Sequence, residues 1–239
     1  PEHQVGMPVG QHLYLRGEWK GKKVMRAYTP SSLNGTLGAI EFVIKIYFSG
    51  ANASYPGGGA LTQFLNQLNE GDTIDVKGPV GHIVYENGGK LIIDKKLRPN
   101  NVKKMTLMGG GTGVAPMLQL IVAILSDPRD ETEIVFIYAN KSEKDVLLKY
   151  TLDRLEREHP ARFRIHYLIS NALDNSYSED IAKGRMQVGR ISQRIIALHG
   201  FDASNDGTSV AIMCGPPAFE EDTCMPALKE LSFPDEDII

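Results

Sequence analysis

What this sequence lacks narrows it before anything else does. Only two of its 239 residues are cysteine, Cys214 and Cys224, so no four-cysteine zinc or iron–sulfur site can form. No Cys-x-x-Cys-His haem attachment pattern occurs either. So sparse a thiol content points to a reducing, intracellular compartment. No apolar run approaches the roughly 20 residues that span a membrane, and no secretory signal is expected. Lys and Arg number 26 against 29 Asp and Glu, a formal charge of −3, and the basic side chains are scattered, so nucleic acid is not an expected partner. Paired carboxylates and a His–Asp couple are missing too. His82, His166 and His199 stand alone and read as structural. A chain that opens at Pro1 rather than Met is expected to be a piece of a longer protein.

What is present is organised around a glycine cluster. The run Met105-Thr106-Leu107-Met108 enters Gly109-Gly110-Gly111-Thr112-Gly113, and the chain leaves through Pro116 into Met117, Leu118, Ile121, Val122 and Leu125. That is a strand, a tight loop and a helix start. Pro suits the first helical turn, and amide groups at such a helix start attract phosphate. Both common fingerprints fail. Pro116 stands where a Rossmann motif has its third glycine, and no Gly-Lys-Ser/Thr follows.

Before that loop the pattern is strands and turns. Residues 12–15, 40–48 and 73–76 read as strands, punctuated by Asn34-Gly35, Gly78-Pro79 and Asn87-Gly88. One helix, 60–68, carries Leu61, Phe64, Leu65 and Leu68 at helical spacing. Short strands with one helix argue for a small antiparallel barrel. Trp19 with Lys20, Lys22 and Lys23 reads as a surface loop. Within Arg26-Ala27-Tyr28-Thr29-Pro30, alternation puts Arg26 and Tyr28 on one face and Thr29 on the other. Arg26 suits either a pyrophosphate or a surface salt bridge on an edge strand. Gly57-Gly58-Gly59-Ala60-Leu61-Thr62 is either a second anion site or a flexible loop with a helix cap.

Beyond a polar stretch at 92–104, strands and helices alternate. Strands are expected at 105–108, 134–139, 163–169 and 209–213, and helices at 116–125, 146–159, 191–198 and 220–231. Alternation of this kind implies a parallel sheet with helices on both faces, and ligands of such sheets sit at the carboxyl ends of strands. The glycine loop, Asp145 and Cys214-Gly215-Pro216-Pro217 fall there. Asp145 reads equally as a ribose-binding carboxylate or as the cap of the helix that follows. Cys214 is either inert packing or part of a ligand edge. The domain reading is 1–91, a linker at 92–104, and 105–239.

In order along the chain, Arg26-Ala27-Tyr28-Thr29-Pro30, Ile44-Lys45-Ile46-Tyr47-Phe48, Gly58-Gly59-Ala60-Leu61-Thr62-Gln63, Gly78-Pro79-Val80-Gly81, Gly110-Gly111-Thr112-Gly113-Val114-Ala115-Pro116, Tyr138-Ala139-Asn140 with Asp145, and Cys214-Gly215-Pro216-Pro217 resemble the NADH–cytochrome b5 reductase family. This family lies within the ferredoxin–NADP⁺ reductase superfamily and includes the FAD/NADH region of eukaryotic nitrate reductase, whose pattern Met25-Arg26-Ala27-Tyr28-Thr29-Pro30 and Asp75 to His82 resemble most. The resemblance implies an antiparallel β-barrel FAD domain followed by an α/β, Rossmann-like NADH domain. It implies hydride transfer from NADH to FAD, then single electrons to a b-type haem on a cytochrome domain of the same full-length cytoplasmic chain. A standalone NADH–cytochrome b5 reductase and, from another class, a non-catalytic nucleotide-binding module are the alternatives.

The same resemblance assigns roles. Arg26 and Ala27 would meet the FAD pyrophosphate, Tyr28 would pack on the flavin, and Thr29 would bond near its reacting nitrogen. Val43, Lys45 and Phe48 would line the flavin, Lys45 also favouring NADH. Gly59, Ala60, Leu61 and Thr62 would complete the phosphate site. Gly110, Gly111, Thr112 and Gly113 would face NADH, Asp145 would select it over NADPH, and Cys214, Gly215 and Pro216 would sit by the nicotinamide. Cys214, Thr29 and Lys45 are thus the expected catalytic residues, and no metal is expected. Ala60, Asn52, Ala115 and Ala218 depart from the family pattern.

Overall fold

The computed structural model describes residues 2–4, 6–32, 35–51, 55–171 and 179–239. Asn34 and Asn52 lie outside the described residues. The chain opens with β1 (His12–Trp19) and β2 (Lys22–Tyr28), an antiparallel pair whose register closes at Trp19 and Lys22. The two residues between them, Lys20 and Gly21, have φ of 51° and 74°, the left-handed pair that a two-residue hairpin needs to match strand twist. The surface loop expected at 19–23 is therefore a hairpin, with Lys22 and Lys23 in its second strand.

Helix α1 (Ala60–Leu65) follows, then β3 (Asp75–Val80), which pairs with the other side of β1. The helix stops three residues short of expectation, its end closed by a turn in which Gln67 N–H donates to the Phe64 carbonyl. Gly17 of β1 lets α1 approach, since a Cβ there would lie 2.3 Å from the Phe64 ring.

Residues 40–48 alternate like a strand, but no ladder forms on them among the described residues. Their backbone groups are answered singly: Ser31 N–H donates to the Glu41 carbonyl, Glu41 N–H to Ser32 Oγ, and Tyr47 N–H to Thr62 Oγ1.

The second antiparallel sheet is β4 (Ile83–Glu86), β5 (Lys90–Ile93) and β6 (Lys96–Leu97). The polar stretch at 92–104 is thus partly sheet. Asp94 and Lys95, at φ of 48° and 66°, turn β5 into β6. Among the described residues the first half is two three-stranded antiparallel sheets with one helix.

The second half continues with β7 (Lys104–Gly110), α2 (Val114–Ser126), β8 (Glu133–Asn140), α3 (Lys149–Glu158), β9 (Phe163–Ile169), α4 (Glu179–Ala182), β10 (Met186–Val188), α5 (Gln193–His199), β11 (Ser209–Cys214), α6 (Pro217–Phe219) and α7 (Met225–Glu230). Its five strands are parallel, in the order β10-β9-β8-β7-β11. Strand alternation builds a core on each face. Ile134, Phe136 and Tyr138 of β8 join α2 and α3, whereas Val135 and Ile137 join α5 and α7.

The sequence places α3 from 146, yet it begins at Lys149, because Leu148 is left-handed at φ 58°. Asp145 does not cap it; its carboxylate turns to Lys45 and Ser142 instead. The last helix starts early, at Pro217, and contains a π turn over Glu220–Cys224.

The halves are joined by shared core and by polar contacts. Tyr85 packs into the α2 core and its hydroxyl donates to buried Asp130, 2.6 Å away. Gly10 N–H donates to Gln119 Oε1 at 2.7 Å. Strand order then decides where a ligand can lie. The chain leaves β7 toward β8 and later jumps back to place β11 on the other side, so the topological switch point falls between the carboxyl ends of β7 and β11.

Candidate functional site

A cleft of about 750 Å³ opens at that switch point, within the range of small-molecule and cofactor sites. One wall comes from the first half: Arg26, Ala27, Tyr28 and Thr29 at the end of β2, Val43 and Lys45 of the extended segment, and Gly59, Ala60, Leu61 and Thr62 where α1 begins. The facing wall is Thr112 and Gly113 of the glycine loop with Cys214, Gly215 and Pro216 after β11. Residues from both halves of the sequence thus share one cavity.

Thr29 lies on the same cleft as Arg26 and Tyr28, not on the opposite face. β2 ends at Tyr28, so the two-residue alternation does not extend to it. Arg26 forms no salt bridge among the described residues; its one hydrogen bond goes to the Met25 carbonyl. A guanidinium left open on a cleft wall fits a phosphate-bearing ligand. Burial raises the Tyr28 hydroxyl's pKa, the Arg26 charge opposing and Tyr47 adding to it. Tyr28 therefore acts as a neutral ring.

Four expected site residues do not line the cavity: Phe48, Gly110, Gly111 and Asp145. Phe48 is mostly exposed. Gly110 is covered by Phe219, whose ring would sit 3.1 Å from an added Cβ. Gly111 holds φ 55°, its carbonyl accepts from Tyr138 at 2.9 Å, and the space over its missing Cβ is open. That opening lets a ligand approach the loop backbone. Asp145 stands just behind the wall, where its Oδ1 accepts from Lys45 Nζ at 2.6 Å and its Oδ2 from Ser142 at 2.7 Å. Burial works to raise its pKa, but Lys45 and Ser142 outweigh that and hold it below the usual carboxylate value. Lys45 is correspondingly tethered, and Thr62 donates its hydroxyl to the Gly59 carbonyl at 3.0 Å. Both side chains are engaged within the protein.

The two loops of the far wall touch. A methyl group on Gly113 would lie 2.0 Å from the Cys214 carbonyl oxygen. Cys214 is half-buried, and burial, then the nearby Glu220 carboxylate, pushes its thiol up to about 11. It is a neutral thiol at pH 7, unsuited to nucleophilic attack. Its chemistry here is contact and shape.

Sequence reasoning passed over His12, Tyr47, Pro116 and Met213, which also line the cleft. Tyr47 and Pro116 both stand within motifs that carry the family resemblance, and Pro116 also reads as a helix signal. Nothing in the sequence singles out His12. Among the described residues no group of three or more His, Cys, Asp or Glu is placed to hold a metal ion, and no helix is long and apolar enough to cross a membrane.

Comparison with known proteins agrees with this geometry. Residues 1–85 match the oxidoreductase FAD-binding domain family, and residues 107–225 the oxidoreductase NAD-binding domain family. NADH-cytochrome b5 reductase 3 of Rattus norvegicus is 38% identical over 241 residues, covering 99% of this chain and 76% of the rat protein. Nitrate reductase [NADH] of Volvox carteri is 37% identical over all of this chain, which spans only 27% of that protein's length. The crystal structure of the cytochrome b5 reductase domain of Ulva prolifera nitrate reductase superposes with a TM-score of 0.89 at 35% identity, covering 100% of this chain and 86% of that one.

Proposed function

This chain belongs to the NADH–cytochrome b5 reductase family of FAD- and NAD-binding oxidoreductases, and from that premise we propose that it is the flavin and nicotinamide module of an assimilatory nitrate reductase. In this reading it takes a hydride from NADH onto FAD and passes single electrons to the b-type haem of a cytochrome domain on the same cytoplasmic chain. The observation that carries the reading is the single cleft whose walls are Arg26 and Tyr28 on one side and Gly113 and Cys214 on the other. Bound there, the two cofactors supply the redox chemistry, so no general base is required of the protein.

What the chain's own residues contribute is placement. Arg26 holds phosphate oxygens with the open part of its fork. Tyr28 and Val43 pack on the flavin, and Thr29 donates near its edge. Thr112 and Gly113 bring the loop backbone against NADH, and Cys214, Gly215 and Pro216 set the position of the nicotinamide. Orientation of this kind lowers a barrier by fixing the reacting atoms near attack distance. The domain division follows the same logic, with FAD held by residues 1–91 and NADH by residues 105–239.

The test is optical. Purified protein should be yellow, bleach when NADH is added without oxygen, and reduce added cytochrome b5. A colourless chain that takes up no FAD, or a yellow one that NADH leaves unchanged, would overturn the enzyme reading in favour of a nucleotide-binding module. A standalone cytochrome b5 reductase is the second reading, favoured by the 76% of the rat enzyme that this chain covers. The sequence upstream of Pro1 separates the two, since the first reading requires a haem-ligating domain there.

A further inference from the structure

The short α6 does more than continue the chain past Cys214. Its Phe219 ring lies against both loops of the far wall: an added Cβ would sit 2.5 Å from that ring at Gly215 and 3.1 Å at Gly110. The backbone then turns, with Phe219 and Glu220 N–H groups both donating to the Pro216 carbonyl, and enters the π turn Glu220–Cys224. That geometry sends Glu220 back toward the cleft, where its Oε1 accepts from Gly215 N–H at 2.8 Å. Among the described residues no Lys or Arg pairs with Glu220, so no cation competes for it. π turns inside helices frequently sit at functional sites, where the extra residue re-aims a side chain.

We infer that Glu220 is a positioning residue for hydride transfer: its carboxylate holds the Gly215 N–H and so fixes the Cys214 edge of the cleft against the glycine loop. The inference rests on the reading of this cleft as the NADH site. Phe219 sets how far apart the two loops stand, and Glu220 sets how the outer one is turned. The same carboxylate acts on both thiols, adding to burial in pushing Cys214 to about 11 and Cys224 to about 12. Contact and charge can therefore be separated by substitution.

Three proteins decide the matter: the parent chain, Glu220→Gln and Glu220→Leu, each with its FAD. The Gln variant keeps an oxygen acceptor for Gly215 and loses the charge, and the Leu variant loses both. Flavin content should match the parent in both; melting temperature should match in Glu220→Gln and drop by a few degrees in Glu220→Leu, where one N–H loses its acceptor. NADH bleaching in a single turnover should stay within about twofold of the parent in Glu220→Gln. It should fall about tenfold in Glu220→Leu, the change that goes with loss of one part-buried hydrogen bond to a charged group. Alkylation of Cys214 at pH 9, measured peptide by peptide without NADH, should quicken severalfold in Glu220→Gln as its thiol pKa drops. Parental bleaching in the Leu variant, or equal slowing in both variants, overturns the positioning role. Should Glu220→Leu fail to fold, Glu220→Asp, which keeps the charge and shortens the reach, takes its place with the same slowing expected. If the parent itself does not bleach with NADH, the functional reading fails. The alkylation arm then reports on the charge alone: an unchanged Cys214 rate in Glu220→Gln overturns the placement of the Glu220 carboxylate beside that thiol.

Discussion

Lys45 and Asp145, a hundred positions apart, meet across the junction of the two halves with Nζ 2.6 Å from Oδ1. Their side chains are 35% and 30% exposed, so water screens the pair and it adds little to stability. Its effect is to hold a cation and a carboxylate at the edge of the cleft. Asp145→Ser should release Lys45 and remove the negative charge that opposes a 2′-phosphate. The expected result is a shift of roughly tenfold, ~1.4 kcal/mol, in the ratio of kcat/KM for NADH over NADPH. Steady-state rates with both coenzymes check it. An unchanged ratio would leave Asp145 as a tether alone.

Arg26 offers a guanidinium that no carboxylate of the described residues neutralises. Arg26→Ala should weaken FAD retention by about 1.5–3 kcal/mol, the worth of a hydrogen bond to a charged group. Flavin released on dilution or gel filtration measures it. Full flavin occupancy in the variant would refute the phosphate assignment.

Gly113 sits at φ −64°, so its backbone asks for no glycine; its neighbour does. A methyl group there would fall 2.0 Å from the Cys214 carbonyl oxygen. Gly113→Ala must therefore push the two loops apart, at about 1–3 kcal/mol for overpacking. Thermal melting should drop, and NADH bleaching should slow while FAD stays bound. Low FAD occupancy, with an unchanged bleaching rate in the molecules that keep their flavin, would show that the loop serves the other cofactor.

His166 and His199, read from sequence as isolated, are stacked with ring centroids 3.5 Å apart. Burial, and then the His199 charge, lowers the His166 pKa from 6.5 to about 4, with a hydrogen bond to Gln187 opposing. His199 is lowered as well, by burial and by Arg164. The unfolded chain therefore binds protons between pH 6.5 and 4 that the folded chain refuses. Stability from this pair is full above about pH 6.5 and is lost as pH falls toward 4, by up to about 3 kcal/mol for His166. Urea unfolding at a series of pH values should show this slope, and His166→Phe should flatten it. An equal slope in both proteins would place the acid sensitivity elsewhere.

Much of this protein was written in local pattern. Near-continuous apolar runs mark the parallel strands, since β7, β8, β9 and β11 are buried on both faces along most of their length. The order of seven short motifs pointed to the family, and most of the residues they named line one cleft. Each strand run and each motif is read from near neighbours in the chain.

What sequence could not decide is where distant groups meet. The missing ladder on 40–48 and the late start of α3 at Lys149 are not legible in the apolar pattern. Asp145 looked like a helix cap or a ribose ligand, and only the fold brought Lys45 to it. The sequence places Glu220 at the start of the last helix, and only the fold brings its carboxylate to Gly215. Pattern fixes which face of an element is apolar, because that repeats every two or four residues. Tertiary structure alone pairs one polar atom with another, because such pairs form only after the elements have packed.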